Sequence, residues 1–269
     1  FLVLAVVLQV LVTTTYTVRR FTANNEASRI SLDLLRLRTD TALKAFHYEE
    51  KRVELGWNGS RKFEIHRKQR EVEGVHSFYL VPHDGKKLPP FQPGQYLTFD
   101  LRIPGQSKPV IRCYSLSDSP NADYYRATIK KIPPPPDDPD GKPGLSSSYF
   151  NDVLQQGDIL DVRAPSGHFH LMPHRDLPIV LIGGGIGITP VLSMLNTLCQ
   201  KGRRSEVWFF LGVNNSKDHV MKTHLETVAQ NFDNVRLNVC YSEPLETDIE
   251  GQDYQHRGFV GVNLFKKIL

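Results

Sequence analysis

The glycine run at 183–187 constrains the fold of this chain more than any other stretch. An apolar segment, 177–182, precedes it and suits a strand that is buried on both faces. Thr189 can cap the start of a helix, Pro190 fits the first helical position, and apolar residues then recur at helical spacing. A strand, a glycine turn and a helix start together present bare backbone N–H groups to a phosphate, because glycine has no Cβ to block its approach. The alternative is a tight strand–helix turn of any α/β domain.

The spacing of this run departs from the common dinucleotide-binding motif. The third glycine of that motif would stand at position 188, where the chain has Ile188. No acidic residue closes the next apolar run, 206–212, where such a residue would bind a ribose. The pattern therefore indicates a phosphate-binding turn of a less usual kind.

Composition excludes several classes of protein. The 269 residues suffice for two domains, and the net charge of +4 is too small to indicate a nucleic-acid partner. The three cysteines, Cys113, Cys199 and Cys240, have neither zinc nor iron–sulfur spacing. Their odd, sparse number favours a reducing compartment. His168 and His170 share one face of a predicted strand, but exposed strand-end histidines are commoner than metal sites, so we expect no metal.

The first residues predict a membrane anchor. Residues 1–18 carry no charge, and Arg19 and Arg20 follow at once, which favours a cytoplasmic side for the rest of the chain. We therefore expect a partial transmembrane segment at 1–20, with a buried core helix as the alternative. Since the chain starts with Phe1 and ends in a predicted helix at 263–269, we also expect a piece of a longer protein.

Residues 21–60 are predicted to form a helical connector. The stretch Glu26–Glu54 is charged and interleaved with apolar residues, as in an amphipathic connector or a membrane-surface helix. A plain solvated linker helix is an equally good interpretation.

Two domains are predicted beyond this connector, at 61–174 and 175–269. The first contains six short strand-like runs separated by turn residues, which indicates a closed antiparallel barrel. These runs are 63–72, 76–82, 96–103, 110–117, 124–132 and 159–164. The second alternates strands and helices, as in a parallel sheet with crossover helices. Its elements are strands at 177–182, 206–212 and 235–241 and helices at 189–201 and 218–231.

A proline-rich loop and a serine-rich helix start lie between the fifth and sixth of these strands. The loop, 133–144, is stiff by composition and suits a solvated insertion, with partner binding as the alternative. Gly144, Ser146 and Ser147 then open a helix, and serines at such a position are ordinary caps that can also bind a phosphate.

Six motifs occur in one order along the chain, and together they resemble the ferredoxin–NADP reductase superfamily. The match is closest to its flavohaemoglobin-type and oxygenase-type NAD(P)H reductase modules, and it covers about residues 62–269. The motifs are Pro93–Tyr96 (PGQY), Arg112–Ser117 (RCYSLS), Gly144–Ser147 (GLSS), Gly157–Asp158 (GD), Pro165–Phe169 (PSGHF) and Gly183–Pro190 (GGGIGITP).

The resemblance implies a fold and two cofactors. The fold is a six-stranded antiparallel FAD-binding barrel followed by a parallel-sheet α/β domain that binds NAD(P)H, with an N-terminal helical segment. Arg112 would bind the FAD pyrophosphate, Tyr114 would pack beside the isoalloxazine, and Ser115 would lie near flavin N5 as the catalytic residue. The remaining expected cofactor-binding residues are Lys130, Gly144, Ser146 and Ser147 for FAD and Gly183, Gly184, Gly185, Gly187, Thr189 and Pro190 for NAD(P)H.

The implied activity is that of an FAD-dependent NAD(P)H oxidoreductase. Hydride would pass from NAD(P)H to FAD, and single electrons would then pass to an iron–sulfur, haem or other acceptor. Alternatives are a flavin-dependent reductase of a small molecule or ferric complex, and a non-catalytic flavin-binding subunit or sensor. NADH is slightly favoured because no arginine stands at 213–217 to bind a 2′-phosphate, although Lys217 and Lys222 leave NADPH open.

One feature of the superfamily is missing from the sequence. Its members continue with a strand that ends in Cys-Gly-Pro and completes the nicotinamide pocket, whereas this chain ends at Leu269 before any such motif. We therefore expect that the piece binds FAD but handles nicotinamide poorly. A ferredoxin-like acceptor domain would lie beyond Leu269.

Overall fold

A computed structural model describes residues 2–171 and 177–269, and the chain divides into two compact units, 1–50 and 51–269. Helix α1 (Leu2–Leu55) accounts for the first unit, and its last residues belong to the second. The predicted N-terminal helical segment is therefore confirmed. The predicted domain boundary at 174/175 and residue Phe1 lie outside the described residues.

The predicted membrane anchor at 1–20 is wrong. Within residues 2–171 and 177–269, no helix combines the length and the apolar character that crossing a bilayer requires. The apolar start of α1 gives way to threonines at 13–15 and then to Arg19 and Arg20. The expectations of a membrane partner and of catalytic domains held on the cytoplasmic side of a membrane are corrected with it.

Six antiparallel strands form the first part of the second unit. They are β1 (Ser60–Val72), β2 (Val75–Pro82), β3 (Tyr96–Leu101), β4 (Val110–Ser115), β5 (Tyr125–Lys130) and β6 (Ile159–Ser166). They are hydrogen-bonded in the order β4-β3-β6-β1-β2-β5. An antiparallel bridge between Leu116 and Ala127 and a 2.8 Å bond from Ser117 N to Arg126 O join the end of β4 to β5. The sheet therefore closes on itself, which confirms the predicted barrel.

An aromatic cluster fills the barrel core. Phe150 is fully buried, and its ring centroid lies 5.2 Å from those of Phe78, Phe99 and Tyr114. It belongs to a single π-helical turn (Tyr149–Val153) that follows the four-residue helix α2 (Leu145–Ser148). The burial of Phe150 therefore fixes the position of the serine-rich segment against β4.

A parallel sheet with helices follows the barrel, as predicted. Its elements are β7 (Ile179–Gly184), α3 (Ile188–Gln200), β8 (Val207–Val213), α4 (Lys222–Asn231), β9 (Val235–Tyr241), β10 (His256–Arg257) and α5 (Val262–Ile268). The strands are hydrogen-bonded in the order β10-β9-β8-β7. Because the strands are parallel, the turns after β7 and β8 lie at the same edge of the sheet.

Two helix starts differ from the prediction. The 3-10 turn Gly185–Gly187 leads directly into α3, so Gly187 occupies the N-cap and Thr189 lies inside the first turn. The hydroxyl of Thr189 donates to Ile186 O at 3.2 Å, and the expected cap by this side chain is wrong. Helix α4 begins four residues later than predicted, because a short 3-10 turn and Met221, in the left-handed region at φ 62°, precede it.

Candidate functional site

A cavity of about 490 Å³ lies where the barrel meets the α/β domain. Its walls come from β4, β5, α2 and the first turn of α3. Of the residues predicted from the sequence, the cavity brings together Arg112, Tyr114, Ser115, Lys130, Gly144, Ser146, Ser147, Gly187, Thr189 and Pro190. Gly183, Gly184 and Gly185 do not line it.

Sequence reasoning missed several lining residues. They share the elements of the predicted ones and lie between them in sequence: Cys113, Thr128, Ile129, Ile132, Leu145 and Ile186. Cys113, Leu145 and Ile186 stand inside the quoted motifs, so their positions gave the signal. Their ordinary side-chain chemistry gave no separate reason to choose them.

Strand β4 carries three of the predicted residues. Arg112 is exposed, and its guanidinium makes one hydrogen bond within the described residues, from Nη1 to Ile111 O at 2.8 Å. Ser115 is half-buried, and its hydroxyl bonds no group of the described chain. Both side chains therefore retain hydrogen-bonding capacity toward the cavity that they line.

Tyr114 connects β4 to α2. Its hydroxyl donates to Ser146 Oγ at 3.1 Å, and its ring packs edge-on against Phe99 and Phe150. Burial raises the pKa of Tyr114 above its usual range, so the phenol stays protonated at neutral pH. The tyrosine is thus a fixed, uncharged wall of the cavity.

The start of α2 is held together by its own side chains. Ser147 Oγ accepts from Ile132 N at 3.1 Å and donates to Gly144 O at 3.0 Å. A Cβ at Gly144 would lie 2.6 Å from Ser147 Oγ and 2.9 Å from Ile132 Cβ, so only glycine fits there. The hydroxyl of Ser147 is therefore engaged within the chain. The groups left for an anion are the first backbone N–H groups of α2, which have no acceptor within the helix.

The glycines of the turn between β7 and α3 have two different functions. A Cβ at Gly183 would lie 3.1 Å from Ile188 Cα and 3.2 Å from Val191 Cγ2, so this glycine allows β7 and α3 to pack closely. At Gly184, Gly185 and Gly187 a Cβ would meet no atom within 4 Å, and Gly185 has φ +48°. The space at the start of α3 is therefore open and lined by backbone, which fits a phosphate.

Lys130 is paired with a residue that the sequence did not single out. Its ammonium Nζ lies 2.9 Å from Asp218 Oδ1, and Asp218 also accepts from Asn214 Nδ2 at 2.8 Å. Burial alone would raise the pKa of Asp218, but the hydrogen bond and charge of Lys130 outweigh it, and that pKa is lowered. This ion pair connects the barrel to the turn after β8.

His219, the next residue, gives the α/β domain a predicted pH dependence. It is buried against Tyr241, and its Nδ1 lies 2.8 Å from the Tyr241 hydroxyl. Burial, followed by the charge of Lys222, lowers the pKa of His219 from 6.5 to about 4. Between these two pH values the unfolded chain binds a proton that the folded chain does not, so stability falls as the pH falls.

We expect this histidine to account for about 3 kcal/mol of stability that is lost between pH 6.5 and 4. The measurement is the free energy of unfolding against pH, by urea denaturation, for the protein and for His219→Gln. The variant should lose less stability over this range. Two parallel curves would contradict the assignment.

No metal site is present in the part of the chain that the structure describes. No group of three His, Cys, Asp or Glu side chains there could hold an ion. His168 is exposed and His170 is half-buried, on the segment that follows β6.

Comparison with known proteins assigns both domains. The oxidoreductase FAD-binding domain family matches residues 62–171, and the oxidoreductase NAD-binding domain family matches residues 181–269. A flavohemoprotein of Bacillus cereus is 41% identical over 229 residues, which cover 85% of this chain and 56% of that protein. The chain thus spans about half the length of the curated relatives it matches.

Solved structures agree with this assignment. The flavohem-like FAD/NAD-binding domain of nitric oxide dioxygenase from Vibrio cholerae superposes with a TM-score of 0.68 and 30% identity, covering 76% of this chain and 81% of that one. Flavohemoglobin from Malassezia yamatoensis shares the fold at a TM-score of 0.63 and 21% identity, covering 77% and 50%.

These matches confirm the predicted cofactors, FAD and NAD(P)H, and the predicted class, FAD-dependent NAD(P)H oxidoreductases. Each of the two domains has its own family match. The chain belongs to the ferredoxin–NADP reductase superfamily, among its flavohaemoglobin-type FAD- and NAD-binding reductase modules.

Proposed function

We propose that this chain transfers hydride from NAD(P)H to FAD bound against its barrel, and that single electrons then leave for a separate acceptor. One observation carries the proposal: residues of the flavin-type motif on β4 and residues of the dinucleotide-type turn before α3 line one cavity. Two flat rings held in one cavity can meet face to face, which is the main requirement of hydride transfer.

The FAD pyrophosphate would be bound from two sides. Arg112 supplies a planar, permanently charged group with free N–H donors on β4. The backbone N–H groups at the start of α2 supply the other side, next to Ser146 and Ser147. Tyr114 would lie along the flavin, fixed by its bond to Ser146 Oγ.

The reacting atoms would lie between Ser115 and the start of α3. Bound FAD supplies the capacity to take two electrons together and release them singly. Ser115 has a hydroxyl without a partner in the described chain, and it would orient the flavin at the edge that receives hydride. Thr189 and Pro190 form the opposite wall and would exclude water from the nicotinamide. Gly184, Gly185 and Gly187 would admit the pyrophosphate of NAD(P)H.

The acceptor is proposed to be a one-electron centre, with haem favoured. The Bacillus cereus relative is named a flavohemoprotein, and the Malassezia yamatoensis structure is described with bound FAD and haem. An iron–sulfur centre, in a ferredoxin-like domain or a separate protein, is the second candidate.

Anaerobic stopped-flow spectroscopy tests this function. The FAD-loaded protein is mixed with NADH, and the visible absorbance of oxidised flavin is followed. A reductase loses this absorbance within milliseconds to seconds, whereas a flavin-binding sensor keeps it. A protein that binds no flavin at all would contradict the proposal.

The coenzyme preference is a separate prediction, and it favours NADH. The turn after β8 carries Asp218, and Asp248 accepts from Ser216 N at 3.3 Å. Asp218 is already paired with Lys130, no arginine stands at 213–217 to pair with a 2′-phosphate, and Asp248 would repel one bound at this turn. We expect kcat/KM for NADH to exceed that for NADPH by about tenfold, which corresponds to about 1.4 kcal/mol. Equal values for the two coenzymes would contradict this reasoning.

A further inference from the structure

Asp118 connects the flavin-binding strand to the helix that follows the dinucleotide turn. It lies three residues beyond Ser115, in the connection from β4 to β5. Its carboxylate Oδ1 accepts from Asn196 Nδ2 at 2.8 Å, and its backbone oxygen accepts from Ser193 Oγ at 2.6 Å. Ser193 and Asn196 both belong to α3, so one residue of the barrel bonds two positions of this helix.

The barrel fixes the Asp118 carboxylate from its own side. Tyr124 donates to Oδ2 at 3.0 Å, Ser119 N donates to Oδ1 at 2.9 Å, and the buried guanidinium of Arg126 lies 3.5 Å from Oδ2. Burial, followed by the charge of Asp118, raises the pKa of Tyr124 to about 12, so this hydroxyl remains a donor at neutral pH. The carboxylate therefore has little freedom to turn away from α3.

A neutral histidine fixes the orientation of Asn196. His224 of α4 has its Nε2 at 2.8 Å from Asn196 Oδ1. Burial, followed by the nearby Arg126, lowers the pKa of His224, so the ring is neutral at pH 7. Its Nε2–H can then donate to the amide oxygen, which leaves the amide nitrogen to donate to Asp118. Each hydrogen bond from His224 through Asn196 to Asp118 therefore has one donor and one acceptor.

These bonds lie close to the proposed reaction centre along both chain segments. Ser115 is three residues from Asp118, so their Cα atoms are at most about 10 Å apart. Pro190 is three helix residues from Ser193, a rise of about 4.5 Å. A shift of α3 relative to Asp118 would therefore move the start of α3 relative to Ser115.

We propose that Asp118 is a positioning residue for hydride transfer: through Asn196 and Ser193 it holds the nicotinamide-side wall at a fixed distance from the flavin-side wall. This inference rests on the proposed function. Asp118 does not line the cavity, so it would act without contacting either ring. It acts on the distance between the two rings, on which the transfer rate depends steeply, and much less on the affinity for either coenzyme.

The test compares Asp118→Ala, Asn196→Leu and the double variant with the unmodified FAD-loaded protein. Anaerobic stopped-flow reduction over a range of NADH concentrations separates the limiting rate of flavin reduction from the apparent Kd for NADH. Each single variant should lower the limiting rate about tenfold, with little change in the Kd for NADH or in FAD retention. The double variant should be no slower than the slower single variant, because both changes remove the same bond.

Asp100→Ala is the matched control. Asp100 is also a barrel aspartate, and it pairs with Arg163 at 2.9 Å and with Ser60, all within the barrel. Its removal should leave the limiting rate unchanged. Hydrogen exchange in the segment 188–200 provides a readout without turnover, and it should increase in the Asp118 and Asn196 variants but not in the control.

The outcomes distinguish this proposal from the one on which it rests. If NADH does not bleach the unmodified protein, the proposed function fails and the positioning role fails with it. If NADH bleaches the unmodified protein, but the flavin of both single variants is reduced at the same limiting rate, only the positioning role is overturned. Losses of rate that multiply in the double variant, or an effect confined to the Kd for NADH, would overturn it as well. If Asp118→Ala does not fold, Asn196→Leu alone decides.

Discussion

Replacing Gly185 with valine is expected to lower kcat/KM for NADH about 100-fold or more while FAD is retained. Gly185 has φ +48°, and a side chain there would enter the open space at the start of α3. A β-branched side chain would meet backbone strain in the left-handed region and would also occupy the volume that an incoming phosphate needs. The measurement is steady-state and stopped-flow reduction by NADH, together with the flavin content after gel filtration.

Gly202→Val separates the two effects of that substitution. Gly202 follows the other end of α3, has φ +61°, and a Cβ there would also meet no atom within 4 Å. The backbone strain is therefore similar, but no coenzyme is proposed to bind at that end of the helix. Gly202→Val should lose stability and keep its kcat/KM for NADH. Equal losses of kcat/KM in both variants would show that strain, and not phosphate binding, explains the result.

Replacing Arg112 with alanine is expected to raise the dissociation constant of FAD about 10- to 100-fold. The substitution removes the charged donor of β4 that is proposed to bind the pyrophosphate, and hydrogen bonds to charged groups contribute about 1.5–3 kcal/mol each. Little else should change, since the guanidinium is exposed and bonds only Ile111 O among the described residues. The flavin that remains after dialysis, and its affinity by fluorescence titration, measure the effect.

Arg163→Ala is the control for Arg112→Ala. Arg163 is another arginine on the barrel; it pairs with Asp100 at 2.9 Å and does not line the cavity. Its loss should leave FAD retention unchanged. If Arg112→Ala retains stoichiometric yellow flavin through dialysis, the assignment of Arg112 is incorrect.

Hydrophobic periodicity was enough to predict the two-domain architecture. The alternating runs at 63–72 and 76–82 became β1 and β2, and the run at 235–241 matches β9. The hydrophobic periodicity of a strand or helix depends only on residues close together in sequence, so it can be recognised without knowing how the elements pack. Motif order predicted the family for the same reason, because each motif is a contiguous stretch of residues.

Local reasoning failed where an element depends on its neighbours. Thr189 has the chemistry of a helix cap, but the turn at 185–187 carries the helix start back to Ile188. The uncharged start of the chain has the composition of an anchor, but the helix it forms is not apolar enough over the necessary length. In both cases the residue types suit the predicted role, but their pattern does not determine where the helix begins or how far its apolar part extends.

By itself, the sequence determined the barrel, the parallel sheet, the two glycine-containing turns at helix starts and three of the β4 residues that line the cavity, Arg112, Tyr114 and Ser115. Only the tertiary structure decided which residues connect the domains. Lys130 pairs with Asp218 across 88 residues, and Asn196 bonds Asp118 across 78. A lysine or an asparagine carries no sign of such a distant partner in its own neighbourhood. These pairs exist because two domains, formed by different segments of the chain, pack together in one orientation. That packing sets the distance between the proposed coenzyme sites.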